Sequence, residues 1–404
     1  MKTILIGLLI LVFTSSCSAS KDNKTKILAA SYYFMLTQTQ RLPTQGSPQD
    51  SPTPVSPSTS SGSFKYAGER SGFSGDSASD LFSLPNNAAI AFSGFSFNKM
   101  QCPQFPCGND KLERFDYATG KFTTVASSMS SRYGHTAGIL KDGNLYLAGG
   151  RSSLLSTLKN DIQIYNPNTG LFLSQNSLLS ARAGHVSIVL NDGRILSAGG
   201  LTDANSSNPT TSAEIFNPFT GNRSYTGSMI TARTGAEAIL LSNGKVLVYG
   251  GVSSSVGSIA ITSLEIFDPS TETFQSIGDL LGARKSYSAT LLKDGSILVV
   301  GGYLNNVELT SAEILNMNTY TSKATGSASF FRMSGSAVLL NDGNVLFAGS
   351  NSVKNAEIYD TAKGVFSTIA SMNQVRGAPL STLLSNGFVL ILNGSEKTSE
   401  VYSY

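Results

Sequence analysis

One segment recurs along this chain and limits what the chain can fold into. It reads GHTAGILKDGNLYLAGG at 134–150 and GHVSIVLNDGRILSAGG at 184–200. The glycine pair that closes it marks seven units, about 50 residues apart. The pairs, with three altered versions, are Ser93-Gly94, Gly149-Gly150, Gly199-Gly200, Gly250-Gly251, Gly301-Gly302, Gly349-Ser350 and Asn393-Gly394. Such a period indicates an array in which each unit buries its apolar faces against its neighbours.

Each unit has room for four short strands. In the second unit, GHTAGIL is apolar enough for an inner strand, and Asp142-Gly143 predicts a type I′ hairpin that returns the chain into NLYLAGG. A variable loop follows, then a third strand such as AEIFNP (213–218), a turn such as NPFTG (217–221) and an outer strand. The pattern predicts an all-β, seven-bladed β-propeller of four-stranded antiparallel blades.

The glycine pair has two interpretations. Glycine permits positive φ and close backbone approach, which packing at the convergence of neighbouring blades requires. A phosphate-binding loop is the functional alternative, but it needs a strand-to-helix context that no unit supplies. The pair is therefore interpreted as a packing device.

Closure of the ring is predicted from a missing strand. The seventh unit ends with a third strand, SEVYSY (399–404), whereas SFKYAGE (63–69) precedes the first inner strand. We expect Phe64 to Ala67 to pair beside the C-terminal strand as the outer strand of the seventh blade, which removes two sheet edges.

The charge of the chain argues against nucleic acid as a partner. The 29 basic and 26 acidic residues give a net charge of +3 and form no long runs. Binding to phosphate backbones needs a basic stripe, which is absent from the sequence.

The N-terminus is typical of an export signal. Lys2 precedes an apolar run from Ile4 to Phe13, too short to span a bilayer, and small residues lead to Cys17. This resembles a bacterial lipoprotein signal, in which Cys17 would carry the lipid, although Thr14 stands where the usual pattern has Leu. An ordinary signal peptide cut near Ala19 is the alternative. We expect an exported lipoprotein of the cell envelope, attached to the membrane through its lipid alone.

Residues 18–62 form a second compositional block. The part LPTQGSPQDSPTPVSPSTSSGS (42–63) is too rich in Pro, Ser and Thr to form a core, so 1–17 is assigned as signal, 18–62 as a tether and 63–404 as the propeller. Cys102 and Cys107, spaced C-P-Q-F-P-C, predict a local disulfide on an exported chain. Two thiolates alone are a poor zinc site, because structural zinc has four ligands.

The glycine pairs, the acidic-aromatic third strands and the Asp/Asn-Pro-x-Thr-Gly turns together resemble the kelch repeats of galactose-oxidase-type propellers. The resemblance covers about residues 63–404 and implies the fold more than an activity. It would imply a copper site with two His and two Tyr ligands, one Tyr cross-linked to Cys. The two histidines, His135 and His185, occupy one slot in successive repeats, where other repeats have Glu237, Ser288 and Ala337 or their neighbours. A structural role is favoured, so neither a metal, a cofactor nor a catalytic residue is assigned.

Two charged series run through the repeat. One series lies 17 residues before each glycine-pair slot: Asp76, Arg132, Arg182, Arg233, Arg284, Arg332 and Arg376. The other lies at the start of the third strands: Glu113, Gln163, Glu214, Glu265, Glu313, Glu357 and Glu400. The first series could form a cationic channel mouth for an anionic ligand. Matching stoichiometry favours Arg–Glu pairs that hold blades together, because a buried unpaired charge is unfavourable.

The variable loops decide the predicted function. The loops 95–110, 151–161, 201–212 and 252–263 are long and polar, whereas 351–355 is short. This favours a monomeric binding protein that contacts an unidentified protein or glycan through its loop-bearing face. The alternative is a carbohydrate-active enzyme similar to the kelch-type sugar-acid epimerases, with the arginines holding a carboxylated sugar; a purely structural envelope protein is a third possibility. An enzyme requires a Glu, Asp or His released from structural pairing and facing a pocket.

Overall fold

Seven antiparallel sheets of four strands each surround a central axis in the computed structural model. The structure describes residues 62–70, 76–96, 107–152, 157–203, 208–254, 259–305, 307–332, 335–350, 353–376, 378–392 and 398–404. All regular secondary structure in these ranges is β-strand. These ranges contain no helix that is long and apolar enough to cross a membrane. The all-β, seven-bladed propeller predicted from the repeat is confirmed.

Blades 1 to 3 are continuous in sequence, and each begins with its innermost strand. Blade 1 consists of β2 (Asp76–Leu84), β3 (Ala88–Ser96), β4 (Cys107–Asp116) and β5 (Lys121–Arg132). Blade 2 consists of β6 (Thr136–Ile139), β7 (Leu145–Ala148), β8 (Asp161–Asn166) and β9 (Leu171–Ser177). Blade 3 consists of β10 (Val186–Val189), β11 (Ile195–Ala198), β12 (Ala213–Phe216) and β13 (Arg223–Tyr225).

Blades 4 to 6 repeat this order, and blade 7 takes its outer strand from the start of the described chain. Blade 4 consists of β14 (Thr234–Leu240), β15 (Val246–Val252), β16 (Ser263–Asp268) and β17 (Thr273–Asp279). Blade 5 consists of β18 (Ser288–Leu291), β19 (Ile297–Val300), β22 (Ala312–Asn316) and β23 (Thr321–Thr325), with a small hairpin of β20 (Tyr303–Leu304) and β21 (Val307–Glu308) in its loop. Blade 6 consists of β24 (Ser336–Leu339), β25 (Val345–Ser350), β26 (Val353–Asp360) and β27 (Val365–Thr368). Blade 7 consists of β28 (Leu380–Leu383), β29 (Val389–Leu392), β30 (Thr398–Ser403) and β1 (Ser63–Glu69).

The hydrophobic core lies between blades. Seven clusters of buried apolar side chains occupy the seven interfaces between neighbouring blades. The cluster between blades 4 and 5, for example, joins Tyr249 and Leu264 to Ile297 and Val299. Each blade therefore needs both neighbours to cover its two faces, as the repeat period predicted.

The inner hairpins have a different turn from the predicted type I′. That type requires positive φ at both central residues, but Gly143 has a φ of 81° and Asp142 is not among the positive-φ residues. The Leu140 amide donates to the Asn144 carbonyl at 2.7 Å, and the Gly143 amide donates to the Leu140 carbonyl at 3.0 Å. This is a three-residue loop with one left-handed glycine. The Asp142 carboxylate accepts the Asn144 amide at 3.0 Å, which holds the aspartate in ordinary backbone geometry.

The glycine pair is confirmed as a site of close backbone approach. Gly149 and Gly150 have φ of 65° and 92°, in the left-handed region. A Cβ at Gly149 would lie 2.4 Å from the Arg182 carbonyl oxygen of the next blade, and one at Gly150 would lie 2.8 Å from the Tyr133 carbonyl oxygen. No other residue fits either position without displacing backbone.

The N-terminal strand closes the ring as predicted. β1 pairs antiparallel with β30, with Phe64 opposite Tyr402 and Tyr66 opposite Glu400. The Phe64 and Tyr402 ring centroids are 4.9 Å apart. Closure is thus non-covalent and joins segments from the two ends of the described chain.

A chain that begins at Glu69 loses most of β1 but keeps Arg70, which pairs with Glu113 in blade 1. We expect its free energy of unfolding to fall by roughly 2–4 kcal/mol, somewhat less than for a fully buried aromatic, because Tyr402 loses the partly buried Phe64 and β30 gains an open edge. A chain that begins at Ser61 is the control and should unfold like the full chain in urea and on heating. Equal midpoints for the two shortened chains would place ring closure elsewhere.

Candidate functional site

The arginine series lies at the start of the inner strands, and its six arginine side chains are buried. Arg182 is representative. Its guanidinium donates to the Gly199 carbonyl at 2.9 Å and to the Ser212 carbonyl at 3.1 Å, and it lies 2.8 Å from a Glu214 carboxylate oxygen. These three acceptors belong to the same blade as Arg182. Each guanidinium therefore holds together the glycine pair and the third strand of its own blade.

The same ion pair recurs around the ring. Five pairs join a member of the predicted arginine series to a member of the glutamate series: Arg182–Glu214, Arg233–Glu265, Arg284–Glu313, Arg332–Glu357 and Arg376–Glu400. Two blades depart from it. Arg132 pairs with Asp161, which also accepts a hydrogen bond from Gln163, and Glu113 pairs with Arg70 at 2.6 Å. Asp76, the first member of the series, begins β2 opposite Ser96 in the sheet.

The pairs also connect neighbouring blades, through the backbone. The Arg182 carbonyl accepts the Gly150 amide of blade 2 at 2.8 Å, while Glu214 of blade 3 accepts the Leu179 amide of the segment between the two blades at 2.5 Å. The Arg233 carbonyl accepts the Gly200 amide in the same way. The predicted Arg–Glu pairs are present, but each lies within one blade rather than between two, and backbone hydrogen bonds make the links between blades. Because the six guanidiniums are buried and occupied, they form no exposed cationic mouth.

The loop-bearing face carries exposed apolar side chains instead. They lie on the segments that connect one blade to the next, one to three residues before the buried arginines. We call the set the apolar rim: Leu179, Ile230, Leu281, Phe331 and Val375. Ile259 and Val307, in loops after glycine pairs, are also exposed on this face. Scattered apolar residues are ordinary at a protein surface, but recurrence on one face is typical of a contact surface.

The opposite face, which carries the hairpin turns, is tied together by polar contacts between blades. Lys141 and Lys293 each donate to a backbone carbonyl in the next blade's turn, at Asn191 and Asn341. Arg194 pairs with Glu272 at 2.6 Å. The polar groups on this face therefore contact neighbouring turns, which distinguishes it from the face of the apolar rim.

Both histidines link the inner strands of neighbouring blades. His185 Nε2 lies 3.1 Å from the Thr136 hydroxyl, and His135 Nε2 lies 3.5 Å from an Asp80 carboxylate oxygen. These contacts do not fit a copper centre of the galactose-oxidase type, in which both imidazoles bind one ion. No group of three or more potential metal ligands is present in the described part of the chain.

The structure corrects the predicted position of Glu237, which was aligned with the two histidines. The position of His185 is taken by Tyr287 in blade 5, because both side chains pack against the first glycine of the preceding blade. Glu237 lies one residue later, opposite Tyr249 in the sheet as Thr136 lies opposite Ala148. Glu237 therefore belongs with Thr136 rather than with the histidines.

Glu237 is a carboxylate outside the Arg–Glu series. It lies on β14, the innermost strand of blade 4, and is partly exposed. The Tyr249 hydroxyl donates to its Oε2 at 2.6 Å, and the Tyr249 and Tyr287 ring centroids are 6.0 Å apart. Burial raises the pKa of Glu237 to about 8, although the hydrogen bond from Tyr249 acts to lower it. Burial, and then the nearby Glu237, raise the pKa of both tyrosines well above its usual value.

Sequence reasoning missed Glu237, Tyr249 and Tyr287 as a group. The available signal was an acidic residue at an inner-strand position that is acidic in one other copy, Asp80, and uncharged in the rest: Thr136, Val186, Ser288, Ser336 and Leu380. The predicted lipid site Cys17 and Cys102 of the predicted disulfide lie outside the described residues, and Cys107 is described only as the first residue of β4. Both assignments stay predictions.

Comparison with known proteins supports the fold. No protein-family model and no curated protein sequence matches the chain. Among solved structures, it is similar to a fungal alcohol oxidase of the AA5 family in complex with copper, with a TM-score of 0.66 and 14% identity over 85% of this chain and 76% of the oxidase. It is also similar to YjhT, with a TM-score of 0.54 and 16% identity over 75% of this chain and 99% of YjhT. The chain therefore has the fold of a kelch-type, galactose-oxidase-like propeller, and these identities show the fold alone.

Replacing Glu265 with Gln tests the buried pairs. The substitution leaves the Arg233 guanidinium charged and buried without its carboxylate, so we expect the free energy of unfolding to fall by about 3–5 kcal/mol. Lys363→Ala is the matched control, because its pair with Asp360 is exposed and surface pairs contribute about 0–1 kcal/mol. Urea unfolding measures both. Similar small losses would mean that the buried pair does not hold the blade.

Glu237→Gln should change how stability depends on pH. The pKa of Glu237 is raised from 4.5 to about 8 in the folded chain, so the folded state holds a proton that the unfolded state releases between these values. Stability of the native chain should fall as pH rises through that window. The variant cannot titrate, so its advantage over the native chain should grow from pH 5 to pH 9. Urea unfolding at both pH values checks this, with Glu308→Gln as control; an advantage that does not change with pH would contradict it.

Proposed function

We propose that this protein is an exported, lipid-anchored propeller of the kelch type that binds a partner protein through its loop-bearing face. The observation that carries the proposal is the apolar rim, which recurs along the blade connections of that one face. Exposed apolar residues that cluster on a surface are typical of interaction sites. The turn-bearing face also exposes single apolar side chains such as Phe219, but its charged and polar groups contact neighbouring turns.

The rim is held by the buried ion pairs. The backbone amides of Ile230 and Leu281 donate to Glu265 and Glu313, at 2.7 Å and 2.8 Å. The same carboxylates pair with the arginines, so the segments that display the apolar side chains are fixed before a partner arrives. A preorganised surface loses little conformational entropy on binding, which favours affinity.

The chemistry of the rim favours a protein over a glycan. Four of its five members are aliphatic, and only Phe331 is aromatic. Aliphatic groups contribute by removing apolar area from water, and a protein partner can match them with its own apolar residues. The hydroxyl groups of a glycan need hydrogen-bonding partners, which Leu179, Ile230 and Leu281 do not supply.

The predicted export signal supports a position at a membrane surface. Cys17 is the proposed lipid attachment site, and residues 18–62 are the proposed tether to the propeller. In this proposal the tether would connect the lipid to the propeller. The proposed partner is therefore another component of the cell envelope.

A carbohydrate-active enzyme is the second candidate, and Glu237 is the observation that favours it. It makes no ion pair in the described part of the chain and lies on an innermost strand, and an enzyme of this fold would require such a free carboxyl at a pocket. The sugar-acid epimerase interpretation also needs cations to hold the substrate carboxylate. The arginines assigned to that task are buried against glutamates, which leaves this candidate without its anion-binding group.

Substitutions in the apolar rim test the binding proposal. Ile230→Asp combined with Leu281→Asp should keep the fold and weaken partner binding at least tenfold, because two apolar contact residues would be replaced by charged ones. Phe219→Asp is the matched control: Phe219 and Ile230 are both 60% exposed, but Phe219 lies in the β12–β13 turn on the opposite face.

The partner is obtained by photo-crosslinking in intact cells, with the reactive residue at position 230 or 219 of the full chain. One adduct from position 230, absent from position 219 and lost in the double variant, supports the proposal; binding by the purified pair then gives the affinity. Equal adducts from both positions, or binding unchanged in a folded double variant, would remove the loop-bearing face as the site. Binding to purified glycan alone would replace the protein partner.

A further inference from the structure

One partly buried lysine on the loop-bearing face has no acidic partner among the described residues. Lys285 directly follows the buried Arg284 in the connection between blades 4 and 5. Its backbone bonds to Tyr303 in both directions, at 3.1 Å and 2.8 Å, so it lies where the inner hairpin of blade 5 reaches the loops. Its ammonium lies over the Tyr303 ring, 5.4 Å from the ring centroid. Burial lowers the pKa of Lys285, and no nearby carboxylate raises it.

The repeat does not require a charge at this position. Blades 2, 3 and 4 have the uncharged residues Tyr133, Ala183 and Thr234 there, each paired with the residue that follows the glycine pair. Lys285 makes the same backbone contact, which any of these side chains allows. The lysine is therefore a departure from the repeat that the fold itself does not explain.

The charged groups near Lys285 are paired elsewhere or lie apart from it. The preceding Arg284 pairs with Glu313 at 3.2 Å. Glu308 stands opposite Tyr303 in the β20–β21 hairpin, so Tyr303 separates it from the lysine, and within the described residues the two make no ion pair. An aromatic ring compensates a partly desolvated cation incompletely. A carboxylate supplied by a ligand would complete the compensation.

Exposed apolar side chains border the lysine. Leu281 of the apolar rim lies four residues earlier in the same connection, and Val307 lies in the hairpin that Tyr303 begins. Each of these two residues has 59% of its surface exposed. The surface around Lys285 therefore combines one uncompensated cation with apolar groups, and a ligand that matches it needs an acid next to apolar side chains.

We propose that Lys285 binds a carboxylate of the partner protein, in a segment that carries apolar residues next to the acid. The lysine N–H groups donate to the carboxylate oxygens, and the apolar neighbours of the acid pack on Leu281 and Val307. Charge complementarity selects an acidic residue over a neutral or a basic one. This inference rests on the proposed function, because it assigns the chemistry of the partner that the apolar rim binds.

The test uses the full chain and N-acetyl-leucine, which has a carboxylate beside an isobutyl side chain. N-acetyl-leucinamide is its neutral counterpart, and acetate is a carboxylate without the apolar part. The lysines are isotope-labelled at the ε carbon, and nuclear magnetic resonance follows their signals at constant ionic strength. The signal that is absent from Lys285→Met identifies Lys285.

We expect the Lys285 signal to shift saturably with N-acetyl-leucine, with a dissociation constant in the millimolar range, because the probe makes one ion pair and one apolar contact. N-acetyl-leucinamide and acetate should each bind at least about fivefold more weakly, since the first lacks the charge and the second lacks the apolar group.

Three variants separate a specific site from a general attraction of anions, with calorimetry as the measurement. Lys285→Met should bind N-acetyl-leucine at least about fivefold more weakly at an unchanged melting temperature, because the lysine makes no ion pair in the described part of the chain. Lys285→Arg keeps the charge and should bind within about threefold of the native chain. Lys354→Met, which removes an exposed lysine of the same face, is the matched control and should leave binding unchanged.

Four results would overturn the proposal: no saturable shift up to about 100 mM N-acetyl-leucine, equal binding of the amide or of acetate, unchanged probe affinity in Lys285→Met, or unchanged affinity of that variant for the purified partner. Preferential binding of galacturonate, a carboxylated sugar, would also overturn it and would give the enzyme candidate an anion-binding group. The probe experiments need no partner, so their failure leaves the cross-linking result at position 230 standing, and a failure of that result leaves the probe affinities unchanged.

Discussion

The buried pair between an arginine and a glutamate is the interaction on which each blade depends. The guanidinium of Arg233 reaches the Gly250 carbonyl, the Ser263 carbonyl and Glu265, so one side chain connects the second strand, the loop and the third strand. Burying two charges is unfavourable unless their hydrogen-bonding capacity is used. Backbone amides of the connecting segment satisfy the carboxylate, as Ile230 and Thr231 do for Glu265. The ion pair therefore requires this segment to lie where it does, and the position of the next inner strand follows.

The glycine pairs are a consequence of that arrangement. Two arginines meet at each glycine pair. The Gly199 carbonyl accepts a hydrogen bond from the Arg182 guanidinium of its own blade. A Cβ at Gly199 would lie 2.7 Å from the backbone carbonyl oxygen of Arg233, which precedes the next blade. Only glycine permits both the approach and the positive φ. The spacing of 17 residues between each arginine and its glycine thus reflects a hydrogen bond, because the guanidinium donates to the carbonyl of that glycine within one blade.

This explains which parts of the molecule could be predicted from the sequence. Blade number, strand order and ring closure follow from repeated local signals, so every copy of the repeat supports the others. The turn type was wrong because Asp-Gly is compatible with more than one loop, and the Asp142 carboxylate selects among them by bonding to Asn144. Arg70 and Asp161 were missed because they supply the ion pair from outside the regular spacing. Glu237 was placed one position out of register, since the offset between its strand and that of His185 is fixed by packing across blades.

Departures from a repeat are more informative than the repeat itself, because a symmetric fold gives no structural reason for them. Thr136 and Ser288 each contact the next blade, at His185 and at the Gly335 carbonyl. Glu237 stands at the same position in blade 4 but bonds to Tyr249 of its own blade, and the buried Tyr287 hydroxyl has no hydrogen-bond partner in the described residues. The connecting segments of this sector display Ile230 and Leu281, a few residues before Glu237 and Tyr287 in sequence. Exposed apolar contact area and an uncompensated carboxyl therefore lie in the same part of the ring. Local violations of a fold's own rules are expected at functional sites, where stability is lost in exchange for binding, and the remaining blades supply the rigidity that keeps this sector in place.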